Sequence, residues 1–262
     1  MNLLLIGGSG HVGTMTLPYL KDHHRIRILD LRPPQDNTVD YIQGAAGDPE
    51  ALRNAVQVMD SFIWMTLHTG PDAVTDIQYN YEANVTGLHL FLQIAKEAGI
   101  DRGVYTSTLT AHDRSPNRPA AKKLGRNLFT DEPSVPLDNQ QVYGFTKGLG
   151  ERVCRYFCRH HDMSIIALRI TGPRTHAQWL AERAPGETDG WWIEETDLAR
   201  AYLAAISSSD LTGYHPIFIA GSEQQMSDGK VVQEIDLSTA RELIGWQPLT
   251  SLGLSDSERP SN

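Results

Sequence analysis

The sequence predicts an α/β fold built on a doubly wound parallel sheet, and three observations carry that prediction. Short apolar runs alternate with longer amphipathic stretches along most of the chain. The first apolar run passes at once into a glycine-rich turn, in "LLLIGGSGHVGTM", residues 3–15. The length of 262 residues suits one large α/β domain with a small C-terminal lobe, enough to bury a substantial core.

Each element follows from its local pattern. The runs "NLLLI" (2–6), "RIRIL" (25–29), "VDYIQG" (39–44), "DSFIWM" (60–65), "GVYTS" (103–107) and "SIIALRI" (164–170) are short, rich in β-formers and bounded by polar residues or glycine, as strands are. Residues 11–22, 49–57, 75–98 and 143–160 read as helices. In the third, Val85, Leu88, Leu92 and Ala95 keep helical spacing, and Gly99 stops it. The expected division is a core over 1–170 and a small lobe with C-terminal elements over 171–262, interleaved with that core. Two stretches break the alternation. Residues 112–136 form a proline-containing, basic segment of the length lids and binding loops have. Residues 171–192 are the second irregular region, and "SDSERPSN" reads as a frayed tail.

The bulk properties remove several function classes. A net charge of −9 argues against nucleic-acid binding, which calls for a basic face. The two cysteines, Cys154 and Cys158, are too few ligands for a metal centre and read as reduced packing residues. The first apolar run is too short to span a bilayer and lacks a basic leader, and no later run reaches membrane length. A soluble, cytoplasmic protein without a membrane partner is expected.

The opening turn supplies the first chemistry. Gly7, Gly10 and Gly13 stand at three-residue intervals between a strand and a helix. A turn of this kind lets the backbone approach a pyrophosphate, and His11 and Val12 supply helix N-terminal N–H groups that favour its charge. A Rossmann-type dinucleotide site also needs a carboxylate about 20 residues further on, to accept hydrogen bonds from the adenosine ribose. Asp30 ends the second strand at that distance and favours NAD over NADP, although Arg32 nearby weakens the preference. Asp48, before the helix that starts at Pro49, is expected both to cap that helix and to accept from the adenine amino group.

The reacting end lies further along. Tyr143 and Lys147 are four apart at a helix start, so they share one face. An ammonium beside a phenol favours phenolate, and a phenol so tuned exchanges a proton with a substrate hydroxyl while hydride moves to or from a nicotinamide. Ser107, Thr108 and Thr110 sit at the carboxyl end of a strand, where ligands bind in doubly wound sheets.

Taken in order, these residues resemble an extended short-chain dehydrogenase/reductase of the NAD-dependent epimerase/dehydratase family. The resemblance runs through Gly7/Gly10/Gly13, Asp30, Asp48, "NVTG" (84–87), Ser107-Thr108 and Tyr143/Lys147. It continues in "ALRITGP", "EETDLARAYLAAI" and "ARELIGWQPLTSL", so it covers essentially the whole chain. It implies that Thr108 is the catalytic hydroxyl, with Ser107 as the near alternative, that Tyr143 is the acid/base, and that Lys147 serves both the tyrosine and the nicotinamide ribose. It also adds Asn84 to the cofactor set. Leu109 and Thr110 stand where dehydratases of the family carry Asp-Glu, which argues against water loss.

The small lobe points to a small substrate, and uronate dehydrogenases of the family are similarly compact. Arg174 and His176 fall where substrate loops pass, and an arginine can clamp a carboxylate bidentately. Arg114, Arg118, Lys122, Lys123 and Arg126 read as a solvated face. The expected activity is hydride transfer between NAD and a secondary hydroxyl of a small sugar or sugar acid. An epimerase with tightly bound NAD and a cofactor-sensing protein are the alternatives. The resemblance further implies a homodimer joined through the helices at 75–98 and 143–160, with Leu88, Leu92 and Phe157 as candidate contributors.

Overall fold

In a computed structural model, the structure describes residues 1–67, 76–111, 123–124, 142–182, 192–227 and 230–249. The first half runs β1 (Asn2–Ile6), α1 (His11–Lys21), β2 (Arg25–Asp30), β3 (Asp40–Gln43), α2 (Pro49–Ala55), β4 (Ser61–Trp64), α3 (Ile77–Tyr81), a π-turn (Glu82–Thr86), α4 (Gly87–Glu97) and β5 (Arg102–Thr108). The rest runs β6 (Lys123–Leu124), α5 (Val142–His160), β7 (Ser164–Ile170), β8 (Pro173–Arg174), α6 (His176–Glu182), β9 (Ile193–Glu194), α7 (Glu195–Ser207), β10 (Tyr214–Ile219), β11 (Gln224–Ser227), β12 (Lys230–Ile235) and α8 (Ser238–Ile244).

Seven parallel strands form the main sheet in the order β10-β7-β5-β4-β1-β2-β3. Its strands are buried on both faces. In β1, Leu3 and Leu5 join the core under α1, α7 and α8, while Leu4 and Ile6 join the core under α2, α4 and α5. β1 pairs with β2 on one side and β4 on the other, so the strand order reverses there. Ligands of such sheets bind in the crevice that this reversal opens at the carboxyl ends of the strands.

The expected helix over 75–98 is interrupted. A π-turn at Glu82–Thr86 separates α3 from α4, and the Thr86 hydroxyl donates back to Glu82 O at 3.3 Å. Turns of this kind re-aim side chains and recur at functional sites. Among the described residues beyond 170, β10 adds the edge strand to the main sheet and α7 packs against α1. β8 and α6 give part of the expected irregular region short regular elements. The β11–β12 hairpin lies outside the main sheet and pairs with β6, placing Lys123 opposite Glu234. Arg114, Arg118, Lys122 and Arg126 lie outside the described residues.

Leu88, Leu92 and Phe157, expected as candidates for a subunit contact, instead fill this chain's own core. Hydrophobic spacing on a helix does not distinguish the inner face from an outer one. Cys154 is buried in that same core, Cys158 is half-buried, and both are free thiols. Among the described residues, no group of His, Cys, Asp and Glu is arranged to hold a metal ion, and no helix is long and apolar enough to cross a membrane.

Candidate active site

The glycine turn works by close approach. Gly7 adopts φ +83°, and a Cβ there would meet the Thr66 backbone at 2.9 Å. A Cβ on Gly13 would fall 2.1 Å from Gly8 O, so the third glycine lets α1 press onto the turn. α1 then starts at His11, and its first N–H groups, having no partner within the helix, give that end its positive character. Val12 is buried at this first turn. His11 reaches across to β8, its Nε2 lying 2.9 Å from Pro173 O.

Beside the turn opens a cleft of about 470 Å³, lined by Gly7, Gly10, Asp30, Arg32, the 44–47 segment, Thr66, Leu67, Tyr79, Glu82 and Ala83. The Ser9 N–H donates to Asp30 Oδ2 at 3.0 Å and the Arg32 N–H to Oδ1 at 3.2 Å, which fixes the carboxylate at the end of β2. A glycine turn open to the cleft, a helix N-terminus and an anchored carboxylate fit the pyrophosphate and ribose of a dinucleotide.

Asp48 and Asn84 are placed differently. Asp48 caps α2, its Oδ1 accepting from Glu50 N at 2.9 Å and Ala51 N at 3.3 Å, and it does not line the cleft. Its capping role is present and uses Oδ1 alone. Asn84 is buried behind the cleft wall and donates through Nδ2 to Thr146 Oγ1 at 3.1 Å, bracing the π-turn against α5.

At the carboxyl end of β5, Thr108 and Thr110 form one hydroxyl pair with Oγ1 atoms 3.1 Å apart, and the Thr110 N–H donates to Thr108 Oγ1. Burial pushes the Tyr143 phenol up to about 12, and the neighbouring Thr108 hydroxyl opposes that shift. Lys147 is buried one turn further along α5, where its Nζ donates to Thr66 O and Thr106 O, each at 3.0 Å. Burial lowers the amine to about 7.

This corrects the expected electrostatics. In the protein alone Lys147 does not hold Tyr143 toward phenolate, because the amine is desolvated and bonded to two backbone carbonyls. Thr108, Tyr143 and Lys147 are nevertheless brought together between β5 and α5, next to the cleft.

Ser107 leaves the expected substrate set. Its hydroxyl donates to Glu151 Oε1 at 2.5 Å, and Glu151 is itself gripped by Arg169 through Nε at 2.8 Å and Nη2 at 2.5 Å. All three residues are buried. They join β5, α5 and β7, the elements that carry the reacting residues and their neighbour. Glu151 follows Tyr143 and Lys147 at four-residue steps on α5, a spacing visible in the sequence.

Arg174 lies in β8, with its guanidinium carbon 3.7 Å from the Trp192 ring centroid. His176 Nδ1 is 3.3 Å from Glu194 Oε1. Neither residue lines the cleft.

The model of the NAD dependent epimerase/dehydratase family matches residues 3–178. The NAD-dependent glucose-6-phosphate dehydrogenase of Haloferax volcanii is 25% identical over 245 residues, covering 82% of this chain and 92% of that protein. The L-arabinose 1-dehydrogenase (NAD(P)(+)) of the same organism is 26% identical over 217 residues, 79% of this chain and 83% of its own. A short-chain dehydrogenase/reductase superfamily protein from Agrobacterium tumefaciens, solved with bound NAD, has a TM-score of 0.75 at 19% identity, over 96% of this chain and 94% of that one. A mutated uronate dehydrogenase has a TM-score of 0.74 at 18% identity, over 96% and 82%. The two structural likenesses establish the parallel α/β fold.

Proposed function

Because the chain belongs to the NAD-dependent epimerase/dehydratase family, we propose that it is an NAD-dependent dehydrogenase oxidising a secondary hydroxyl of a small sugar or sugar acid. The observation that carries this reading is the buried Lys147 amine, bonded to Thr66 O at the cleft wall and to Thr106 O on β5, the strand that ends in the Thr108–Thr110 hydroxyl pair. NAD is the family's cofactor, and when bound it supplies the hydride acceptor. Gly7, Gly10, Gly13 and the N–H groups of His11 and Val12 hold its pyrophosphate, Asp30 holds the adenosine ribose, and Lys147 holds the nicotinamide ribose.

Tyr143 takes the proton of the substrate hydroxyl, and Thr108, steadied by Thr110, orients that oxygen. Positive charge held beside Tyr143 when the oxidised cofactor is bound would lower the phenol from its value in the protein alone. Leu109 and Thr110 provide neither acid nor base for dehydration. Arg174, placed over the Trp192 ring, suits an anionic or hydroxyl-rich substrate because a guanidinium binds carboxylate in a planar fork. The names of the Haloferax dehydrogenases and the uronate dehydrogenase lend weight to sugars and sugar acids. A cytoplasmic homodimer completes the reading.

Incubation with NAD and a panel of aldoses, sugar phosphates and uronic acids, followed at the reduced-nicotinamide absorbance, tests the activity. Net accumulation of NADH with one of them is expected. Interconversion of sugars without NADH release would replace the dehydrogenase by an epimerase.

A further inference from the structure

We propose that Tyr105 is a positioning residue for Lys147, its ring face seating the ammonium that reaches the nicotinamide ribose. The inference rests on the NAD reading above, which gives Lys147 that ribose, and adds a residue that is itself fully buried and does not line the cleft.

Tyr105 touches Lys147 at both ends. The Lys147 Nζ lies over the Tyr105 ring, 5.1 Å from its centroid. The Tyr105 hydroxyl donates to Lys147 O at 3.3 Å, which holds the ring against α5. That approach depends on Gly150, where a Cβ would fall 2.2 Å from the phenol oxygen. The ring cannot slip along the strand, because Tyr105 is registered against Trp64 of β4 on one side and Ala167 of β7 on the other. The next residue, Thr106, supplies one of the two carbonyls that accept from Nζ. β5 thus presents a ring and a carbonyl to the amine from consecutive residues.

The amine needs such a seat. Burial lowers it to about 7, and among the described residues no carboxylate pairs with it. The titratable groups around it are Tyr143 and Cys154 on α5 and Tyr105 on β5; burial pushes all three up, so each is neutral near pH 7. The Glu151 carboxylate on α5 is engaged by Ser107 and Arg169, and the π-turn meets α5 through the neutral Asn84. An aromatic face attracts a cation through its quadrupole and occupies none of the ammonium N–H groups. Thr66 O and Thr106 O take two of the three, which leaves one for the ribose. A carboxylate in the place of the ring would hold the charge but compete for that third donor.

Titration of the Lys147 amine in the protein without cofactor tests the proposal, followed by NMR of lysine labelled at Cε with Lys147→Arg identifying the signal. Tyr105→Leu and Tyr105→Met, which remove the ring, are expected to lower the midpoint by about one pH unit, the scale of a desolvated cation–π contact. Tyr105→Phe, which keeps the ring and fills the same space, is expected to hold it close to the unaltered value. By calorimetry, NAD should bind the two ring-less variants about fivefold more weakly at pH 7 but within about twofold at pH 6, because acid restores the ammonium. An unchanged or raised midpoint in the ring-less variants, a midpoint in Tyr105→Phe as low as theirs, or an NAD loss equal at both pH values would overturn the role of Tyr105. Failure of the unaltered protein to bind NAD would overturn the reading beneath it and leave the lysine midpoints to decide Tyr105.

Discussion

Ser107 and Thr108, adjacent on β5, have separate partners: Ser107 donates to the buried Glu151 carboxylate, whereas Thr108 pairs with the Thr110 hydroxyl and favours the ionised form of the Tyr143 phenol. One hydroxyl belongs to the ion pair that ties β5 to α5 and β7, and the other belongs to the reacting group. The two therefore answer differently to mutation.

Ser107→Ala should act on stability. It withdraws a donor from a buried carboxylate, a loss of about 1–3 kcal/mol, while turnover per folded molecule stays near the wild-type value. Calorimetric melting alongside initial rates separates the two effects. A large fall in turnover at an unchanged melting temperature would return Ser107 to the substrate.

Tyr143→Phe should act on chemistry. Acid–base catalysis is worth about 10²–10⁴-fold, so turnover should drop at least about a hundredfold with NAD affinity little changed. Lys147→Ala should harm both, because the amine serves the reacting pair and the ribose. Steady-state rates together with NAD titration check this, and an active Tyr143→Phe enzyme would dismiss the phenol as base.

The pH dependence carries a definite sign. Oxidation needs the deprotonated phenol, whose value in the protein alone is pushed up to about 12, while Lys147 is lowered to about 7. Above the lysine value, oxidation should climb with pH as the phenolate fraction grows, whereas reduction of the ketone, which needs the protonated phenol, should stay level over the same range. Rates measured in both directions from pH 7 to 10 test it, and a flat oxidation profile would contradict a titrating tyrosine.

Asp30→Ala should shrink the preference for NAD over NADP. The anchored carboxylate repels a 2′-phosphate, and Arg32 on the same cleft is then left to attract it. Titration of both cofactors against both proteins checks this; tighter NADP binding by the unaltered enzyme would reverse the assignment of Asp30.

The expected dimer must use residues other than Leu88, Leu92 and Phe157, which are internal. Tyr156 is exposed on α5 and stacks on His89 of α4, offering an aromatic outer face. Light scattering at micromolar concentration should give a dimer mass, and Tyr156→Glu should lower it toward the monomer. A monomer mass for the unaltered protein would refute the assembly.

Local chemistry made much of this protein legible in its sequence. β1 and β7 have the bounds read from their apolar runs, because strands buried on both faces advertise themselves residue by residue. Gly7 and Gly13 were legible for a related reason: a positive φ and a contact that excludes Cβ constrain the residue type directly. Asp30 and the Tyr143–Lys147 pair followed from spacing within one unit. Tertiary structure decided what depended on distant partners. Ser107 turns on Glu151, 44 residues away, and Lys147 on the carbonyls of Thr66 and Thr106. β10, interrupted by Pro216, becomes an edge strand only because β7 is there to pair with it. Asp48 was legible as a cap because Pro49 follows it at a helix start. Only the packed chain brings Glu82, at the head of the π-turn, to the cleft wall beside Gly47, since side-chain direction is set by the backbone a residue stands on and by what lies across from it.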